Sequence, residues 1–274
     1  MDALFYALLA VFGLLFGSFA NVVIWRLPRG ENLSHPGSHC PQCGVGILWY
    51  DNVPVVSWIL LRRRCRACGM VIPWRYPAVE LLSAALWLAA GLIFGMTAQA
   101  AMAVFFFYLL LILSFIDLDL RRLPNSLVVL LILVGCAGVL VSQLSAIEAL
   151  PLLGGNAHGI WGQPVISALL GAVAAAGFIL LIAVGYQRIR NKPGLGMGDV
   201  KLLVAIGLYL GLYALLALFV ATVLGSVYSI VSARGRRADL REVAIPFGPF
   251  LAVASVMVTA FGPQVWSWYL GLVT

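Results

Sequence analysis

Long apolar stretches dominate the pattern along the chain. Uncharged runs cover residues 3–25, 81–116, 123–147, 149–187, 202–233 and 243–274. A helix needs roughly 20 mostly apolar residues to cross a bilayer. Each run therefore holds one crossing, or two where it is interrupted. The 81–116 run breaks at Gly95-Met96-Thr97-Ala98-Gln99. The 202–233 run breaks near Tyr209-Leu210-Gly211-Leu212-Tyr213, which leaves two short helices. In 149–187 the first part, with Pro151, Gly154, Gly155, Asn156, His158, Gly159 and Pro164, reads as a loop, and the crossing starts near Val165. The pattern predicts eight helices, at about 3–25, 78–95, 99–118, 125–147, 165–187, 199–212, 214–233 and 247–271.

Composition agrees. Of 274 residues, 63% are hydrophobic and 10% charged, where a soluble domain carries about a quarter charged. The expected fold class is an all-α polytopic membrane protein. The first helix is too long, and lacks the basic start, for a cleaved signal peptide. All 17 Lys and Arg residues fall in or beside the loops after the first, third, fifth and seventh crossings, while the other side carries Asp2 and Glu148. Basic loops face the cytoplasm, so both termini are expected outside. The net charge of +7 follows from this topology. It does not indicate nucleic-acid binding, because no basic patch is interleaved with stacking aromatics. The arginines are expected to hold anionic lipid headgroups.

One polar stretch interrupts the apolar pattern between the first and second crossings. The expected division is a first transmembrane helix (1–27), a cytoplasmic insertion (28–76) and a helix bundle (77–274). The insertion is far too small for a large core and needs a metal or disulfides. It contains Cys40-Pro-Gln-Cys43-Gly44 and Cys65-Arg-Ala-Cys68-Gly69. Two thiolates at C-x-x-C spacing can grip one tetrahedral ion, and the trailing glycine permits the turn. A cytoplasmic location argues against stable disulfides. Cys40, Cys43, Cys65 and Cys68 therefore read as a structural, zinc-ribbon-like site, with free or redox-active thiols as the alternative. Cys136, alone in a helix, reads as a packing residue.

Two carboxylates stand at helix ends. Asp117 closes the 99–118 helix, and Asp199 opens the 199–212 helix behind Gly194, Gly196 and Gly198. By the topology both lie at the cytoplasmic edge, and ionisable residues at membrane depth are functional suspects. Two adjacent aspartates cannot both ionise cheaply, so one serves as acid while the other activates water. The glycines are expected to let the chain turn tightly and to leave room for a substrate strand. Two bland readings stand beside this one: Asp199 as a helix N-cap, and Asp119, near Arg121 and Arg122, as a solvated charge. Spacing leaves open whether Asp117 or Asp119 pairs with Asp199. No H-E-x-x-H or G-x-S-x-G competes. An ion-coupled transporter and a non-catalytic metal-binding assembly factor are the alternatives from other classes.

Several stretches together resemble the bacterial type IV prepilin leader peptidase/N-methyltransferases, membrane aspartic proteases of the G-x-G-D class. They are GSFANVVIWRLP (17–28), the two cysteine motifs, YDNVPVVSWILLRRRCRACG (50–69), IPWRYPAVE (72–80), IDLDLRRLPN (116–125) and GMGDVKL (196–202). The resemblance implies that Asp117 pairs with Asp199, supported by Gly196, Gly198, Lys201 and Asp119. Leu120 departs from a position that is often polar in the family. The resemblance further implies removal of a basic leader from prepilins or pseudopilins, after a glycine, at the cytoplasmic face of the bacterial inner membrane. Methylation of the new N-terminus would follow, with S-adenosylmethionine as donor. The cysteine-bearing insertion is the mark of the methylating form. With no G-x-G-x-x-G preceding a βαβ unit, the candidates for methyl transfer are the polar residues Asn21, Asp51, Asn52, Tyr76 and Glu80. Glu80 is expected either to meet a substrate ammonium or the donor sulfonium, or to pair with an arginine such as Arg75.

Overall fold

The computed structural model describes residues 2–145, 147–153, 163–190, 196–236 and 246–273. Nine α-helices occur among them: α1 (Asp2–Arg26), α2 (Val56–Leu60), α3 (Arg75–Phe94), α4 (Ala98–Leu120), α5 (Asn125–Leu144), α6 (Pro164–Arg190), α7 (Met197–Leu210), α8 (Tyr213–Arg236) and α9 (Gly248–Val273). Every helix read from the apolar pattern is present, with ends within three residues of those expected. The five-residue α2 is additional. Among the described residues seven helices are long and apolar enough to cross a membrane. The eighth expected crossing is α7, which has only 14 residues. The fold is all-α and polytopic.

The chain divides into two compact units, Met1–Met96 and Thr97–Thr274. In the first, α1 and α3 pack along their length. Gly13 and Gly17 make this possible. A Cβ on Gly13 would sit 2.6 Å from the Ala84 Cα, and one on Gly17 2.6 Å from the Glu80 Cα. Small residues four apart let membrane helices approach this closely. The insertion joins the two helices. The Arg26 side chain, buried at the end of α1, donates to the Asn32, Leu33 and Gly37 carbonyls and so folds the chain back after the helix.

In the second unit α7 is the centre. It packs on α5, α6, α8 and α9, and Val200, Leu202, Leu203 and every residue from Ala205 to Leu210 are buried. A helix that is apolar all round belongs inside a protein. At 1.5 Å per residue it spans about 21 Å, short of a bilayer core of about 30 Å. The 149–153 segment occupies the space at its end. Ala149, Leu150, Leu152 and Leu153 are buried, and the Leu152 N–H donates to the terminal Tyr209 carbonyl at 2.6 Å. Ser142 Oγ accepts from the Ala149 and Leu150 N–H groups at 2.8 Å each. Irregular backbone at membrane depth is tolerable when it is satisfied in this way. Gly211, at φ +58°, ends α7 in the left-handed region that glycine tolerates.

The α6–α7 seam is the closest contact in this unit. A Cβ on Gly171 would collide with the Gly211 carbonyl, and one on Gly207 with the Ala172 backbone, whereas Gly177 has open space. Overpacking of this kind costs about 1–3 kcal/mol. Gly171→Ala and Gly207→Ala are each expected to lower the melting temperature in detergent by several degrees. Gly177→Ala should leave it unchanged, as read by intrinsic fluorescence on heating.

Candidate active site and metal centre

Asp117 lies in the last turn of α4 and is buried, at 6% exposure. Its Oδ2 accepts the Gly248 N–H at 2.9 Å, so the carboxylate caps the start of α9. The positive end of a helix dipole and an unpaired N–H both favour a carboxylate there. A Cβ at 248 would sit 2.8 Å from Asp117 Oδ2, so a side chain there would displace the carboxylate. The chain leaves α4 through Arg121, at φ +52°, whose N–H returns to the Asp117 carbonyl at 2.8 Å.

Asp199 is the third residue of α7 and is half-buried. It is not the N-cap, a place that Gly196 takes. The Asp199 N–H donates to the Gly196 carbonyl at 3.1 Å. Its Oδ2 lies 3.5 Å from where a Gly196 Cβ would be. Gly196 and Gly198 do not form the tight turn expected of them. Gly196 has φ −72° and ψ 131°, open to any residue, and Gly198 lies within the helix. What Gly198 provides is proximity, since a Cβ there would be 3.3 Å from Leu123 Cβ. Gly194 lies outside the described residues.

α9 packs against both α4 and α7, and the Asp117 charge acts on Asp199. Asp119 is exposed. Two residues along a helix point to opposite sides, so burial of Asp117 turns Asp119 outward. Lys201 reaches across to α5, where its Nζ donates to Asn125 Oδ1 at 2.9 Å. That bond ties the start of α7 to the start of α5. The sequence does not mark Gly248 as a partner of Asp117. A Gly-Pro pair does signal a helix start, but nothing local links it to a carboxylate 131 positions away.

In the first unit the two cysteine motifs adopt matching turns. Gly44 N–H returns to the Cys40 carbonyl and Gly69 N–H to the Cys65 carbonyl, both at 2.9 Å. The glycines stand at φ +71° and +73°. The four sulfurs lie within 4.8 Å of one another. Tetrahedral coordination at about 2.3 Å separates sulfurs by about 3.8 Å, and Cys40 Sγ and Cys68 Sγ are 3.7 Å apart. The donor set fits one thiophilic ion. The Cys43 and Gln42 N–H groups, against burial, hold the Cys40 thiol at about 6. Cys68 is lowered by the Met70 N–H, but burial and the neighbouring thiols push it up to about 11. The four sulfurs thus share charge as a group. Cys136 lies on α5 and is not one of the four.

The methyl-transfer candidates also lie in the first unit. Asn21 Nδ2 donates to the Tyr76 carbonyl at 3.1 Å, which joins α1 to the start of α3. Asp51 accepts from Arg66 Nε and Nη2 at 2.7 and 2.6 Å. These bonds hold its carboxyl below the usual range and tie the Trp49–Asn52 turn to the second cysteine motif. Asn52 and Tyr76 are exposed. Glu80, at 8% exposure, accepts the Val55 N–H on Oε2 at 2.7 Å.

Comparison with known proteins gives a consistent result. Residues 11–94 match the Bacterial Peptidase A24 N-terminal domain, and residues 104–230 match the Type IV leader peptidase family. A prepilin leader peptidase/N-methyltransferase of Aeromonas salmonicida is 32% identical over 298 residues, covering 98% of this chain and 95% of that protein. One of Neisseria gonorrhoeae is 34% identical, covering 96% and 94%. One of Myxococcus xanthus is 38% identical, covering 83% and 63%. No solved structure matches the chain.

The four-sulfur geometry makes a direct prediction. Elemental analysis of the purified protein should find about one thiophilic divalent ion per chain. Cys43→Ser should reduce this to about a tenth or less, because three thiolates hold such an ion far more weakly. Cys136→Ser should retain it. Full metal content in Cys43→Ser would contradict the assignment.

Proposed function

The chain belongs to the type IV leader peptidase family, and on that premise we propose that it is an aspartic endopeptidase and N-methyltransferase of prepilins or pseudopilins. It removes the basic leader at the cytoplasmic face of the bacterial inner membrane and then methylates the new N-terminal amine. The distribution of Lys and Arg supports a cytoplasmic site with both termini outside. The 77–274 bundle carries the peptidase, and the 28–76 insertion is associated with methyl transfer.

One observation carries the peptidase reading: Asp117 and Asp199, from two different helices, lie close enough for the charge of one to act on the other. One carboxylate takes a proton from water as its oxygen adds to the scissile carbonyl carbon. The other, protonated, donates to the carbonyl oxygen. Collapse of the tetrahedral intermediate then breaks the C–N bond, and the leaving nitrogen takes a proton from the pair. Gly248 holds Asp117 in place for both steps. Gly196 keeps side-chain bulk away from Asp199, which leaves space for an extended substrate backbone. Asp119 and Lys201 support the site from its rim, Lys201 through Asn125.

Zinc is the ion proposed for Cys40, Cys43, Cys65 and Cys68, where it cross-links the two motifs and stabilises a small insertion. S-adenosylmethionine is the proposed donor, and it supplies an electrophilic methyl group. Of the five candidate residues, Asn21, Asn52 and Tyr76 offer neutral polar groups. The two carboxylates are already bonded, Asp51 to Arg66 and Glu80 to the Val55 N–H, so neither is assigned a step with the donor.

Mass spectrometry of a prepilin incubated with membranes containing each variant tests the peptidase assignment. Asp117→Asn and Asp199→Asn should each reduce cleavage by about 10²–10⁴-fold while the protein remains inserted. Near-normal cleavage by both would remove the assignment. Gly248→Ala should lower the rate by about ten- to a hundred-fold, since a displacement near 1 Å is that costly. Gly177→Ala should cleave normally.

A further inference from the structure

Val55 is an unusual residue in the first unit. It stands at φ +61° and ψ −49°, a region that β-branched residues rarely enter. The Val56 N–H reaches back to the Pro54 carbonyl at 2.6 Å. This is a γ-turn with positive φ at its centre, a rare and strained form. Strain of this kind persists only where the surroundings fix it.

The surroundings are Glu80. Its carboxylate, buried on α3, accepts the N–H of Val55 itself, and Ser18 of α1 also bonds to it. Gly17 brings the α1 backbone against the Glu80 Cα, so the carboxylate has little freedom to move. The segment before the turn is closed by Ser57. Its N–H donates to the Val53 carbonyl at 3.0 Å, and its Oγ donates to the Tyr50 carbonyl at 2.9 Å. Pro54 and Ser57 are buried, while Trp49, Tyr50 and Asn52 are exposed, Trp49 at 82%. One buried carboxylate therefore pins a strained turn, and the turn presents a polar and aromatic edge.

We propose that Glu80 is a positioning residue for methyl transfer: it holds the Pro54–Val55–Val56 turn, and through it the Trp49–Asn52 edge that meets the substrate amine or the methyl donor, without touching the reacting groups. This rests on the methyltransferase reading above. What Glu80 must supply is then a hydrogen-bond acceptor and not a negative charge. Glutamine keeps an acceptor oxygen at the same reach and should serve. Alanine should not. Glycine at 55 adopts positive φ without strain and should partly replace the clamp.

The experiment uses the full-length purified protein, a prepilin for cleavage and a pre-cleaved peptide for methylation, with S-adenosylmethionine varied. Glu80→Gln should methylate within about three-fold of the parent, and Glu80→Ala should fall by at least about ten-fold, the scale expected of a lost positioning contact. Cleavage and metal content should be kept in both, which shows that the variants fold. Glu80→Ala with Val55→Gly should recover much of the loss. Hydrogen exchange at the Val55 and Val56 amides should quicken in Glu80→Ala and not in Glu80→Gln. Equal loss in Glu80→Gln and Glu80→Ala would mean that the charge acts directly and would overturn the proposal. Undiminished methylation by Glu80→Ala would also overturn it. A parent protein that cleaves but never methylates would remove the methyltransferase reading itself, and this proposal with it.

Discussion

A buried carboxylate at a membrane edge must be bonded, or it becomes strongly destabilising. Asp117 meets this constraint through the first turn of α9. The Gly248 N–H would be unsatisfied at a helix start, and Asp117 would be an uncompensated charge in an apolar bundle. Each satisfies the other at 2.9 Å. Charge-assisted bonds of this kind contribute about 1.5–3 kcal/mol. The bond also fixes the end of α4 against the start of α9, and α9 in turn packs on α7. The bond thus fixes Asp117 against α9, one of the four helices that surround the Asp199-bearing α7.

The helices were legible because their signal is strong and local. Apolar runs, Gly95, Thr97 and Gly211 mark where the chain enters and leaves apolar surroundings. Thr97 does cap α4, its Oγ1 accepting the Ala100 N–H at 3.2 Å. The cysteine turns were legible for the same reason, since spacing within four residues dictates local geometry. Gly248 was not, because its partner is distant in the chain. Gly198 reads as a turn in the sequence, because a sequence shows that a side chain is absent but not what fills the space. Asp119 was ambiguous by spacing, and it is the burial of one helix face that separates it from Asp117. The Ala149–Leu153 segment read as a loop, and its burial beneath α7 follows from the shortness of that helix.

The first unit meets the same difficulty with different means. A small polar insertion has little apolar surface to bury. Its order comes from cross-braces, each linking separate pieces of chain: four sulfurs, the Asp51–Arg66 ion pair, the Arg26 side chain among three carbonyls, Trp58 Nε1 to the Ile72 carbonyl at 3.1 Å, and Glu80 at Val55. Such a scaffold can hold a strained turn that a loosely packed loop would relax.

The most direct measurement of the central claim is the distance between the two carboxylate positions in the membrane-embedded protein. A variant with Asp117→Cys and Asp199→Cys, treated in native membranes with a short thiol-specific cross-linker, should yield one joined peptide containing both positions in mass spectrometry. Asp119→Cys with Asp199→Cys should yield far less. A failure of the 117–199 pair to join, or preferential joining of 119 to 199, would contradict a site in which Asp117 and Asp199 share the work of hydrolysis.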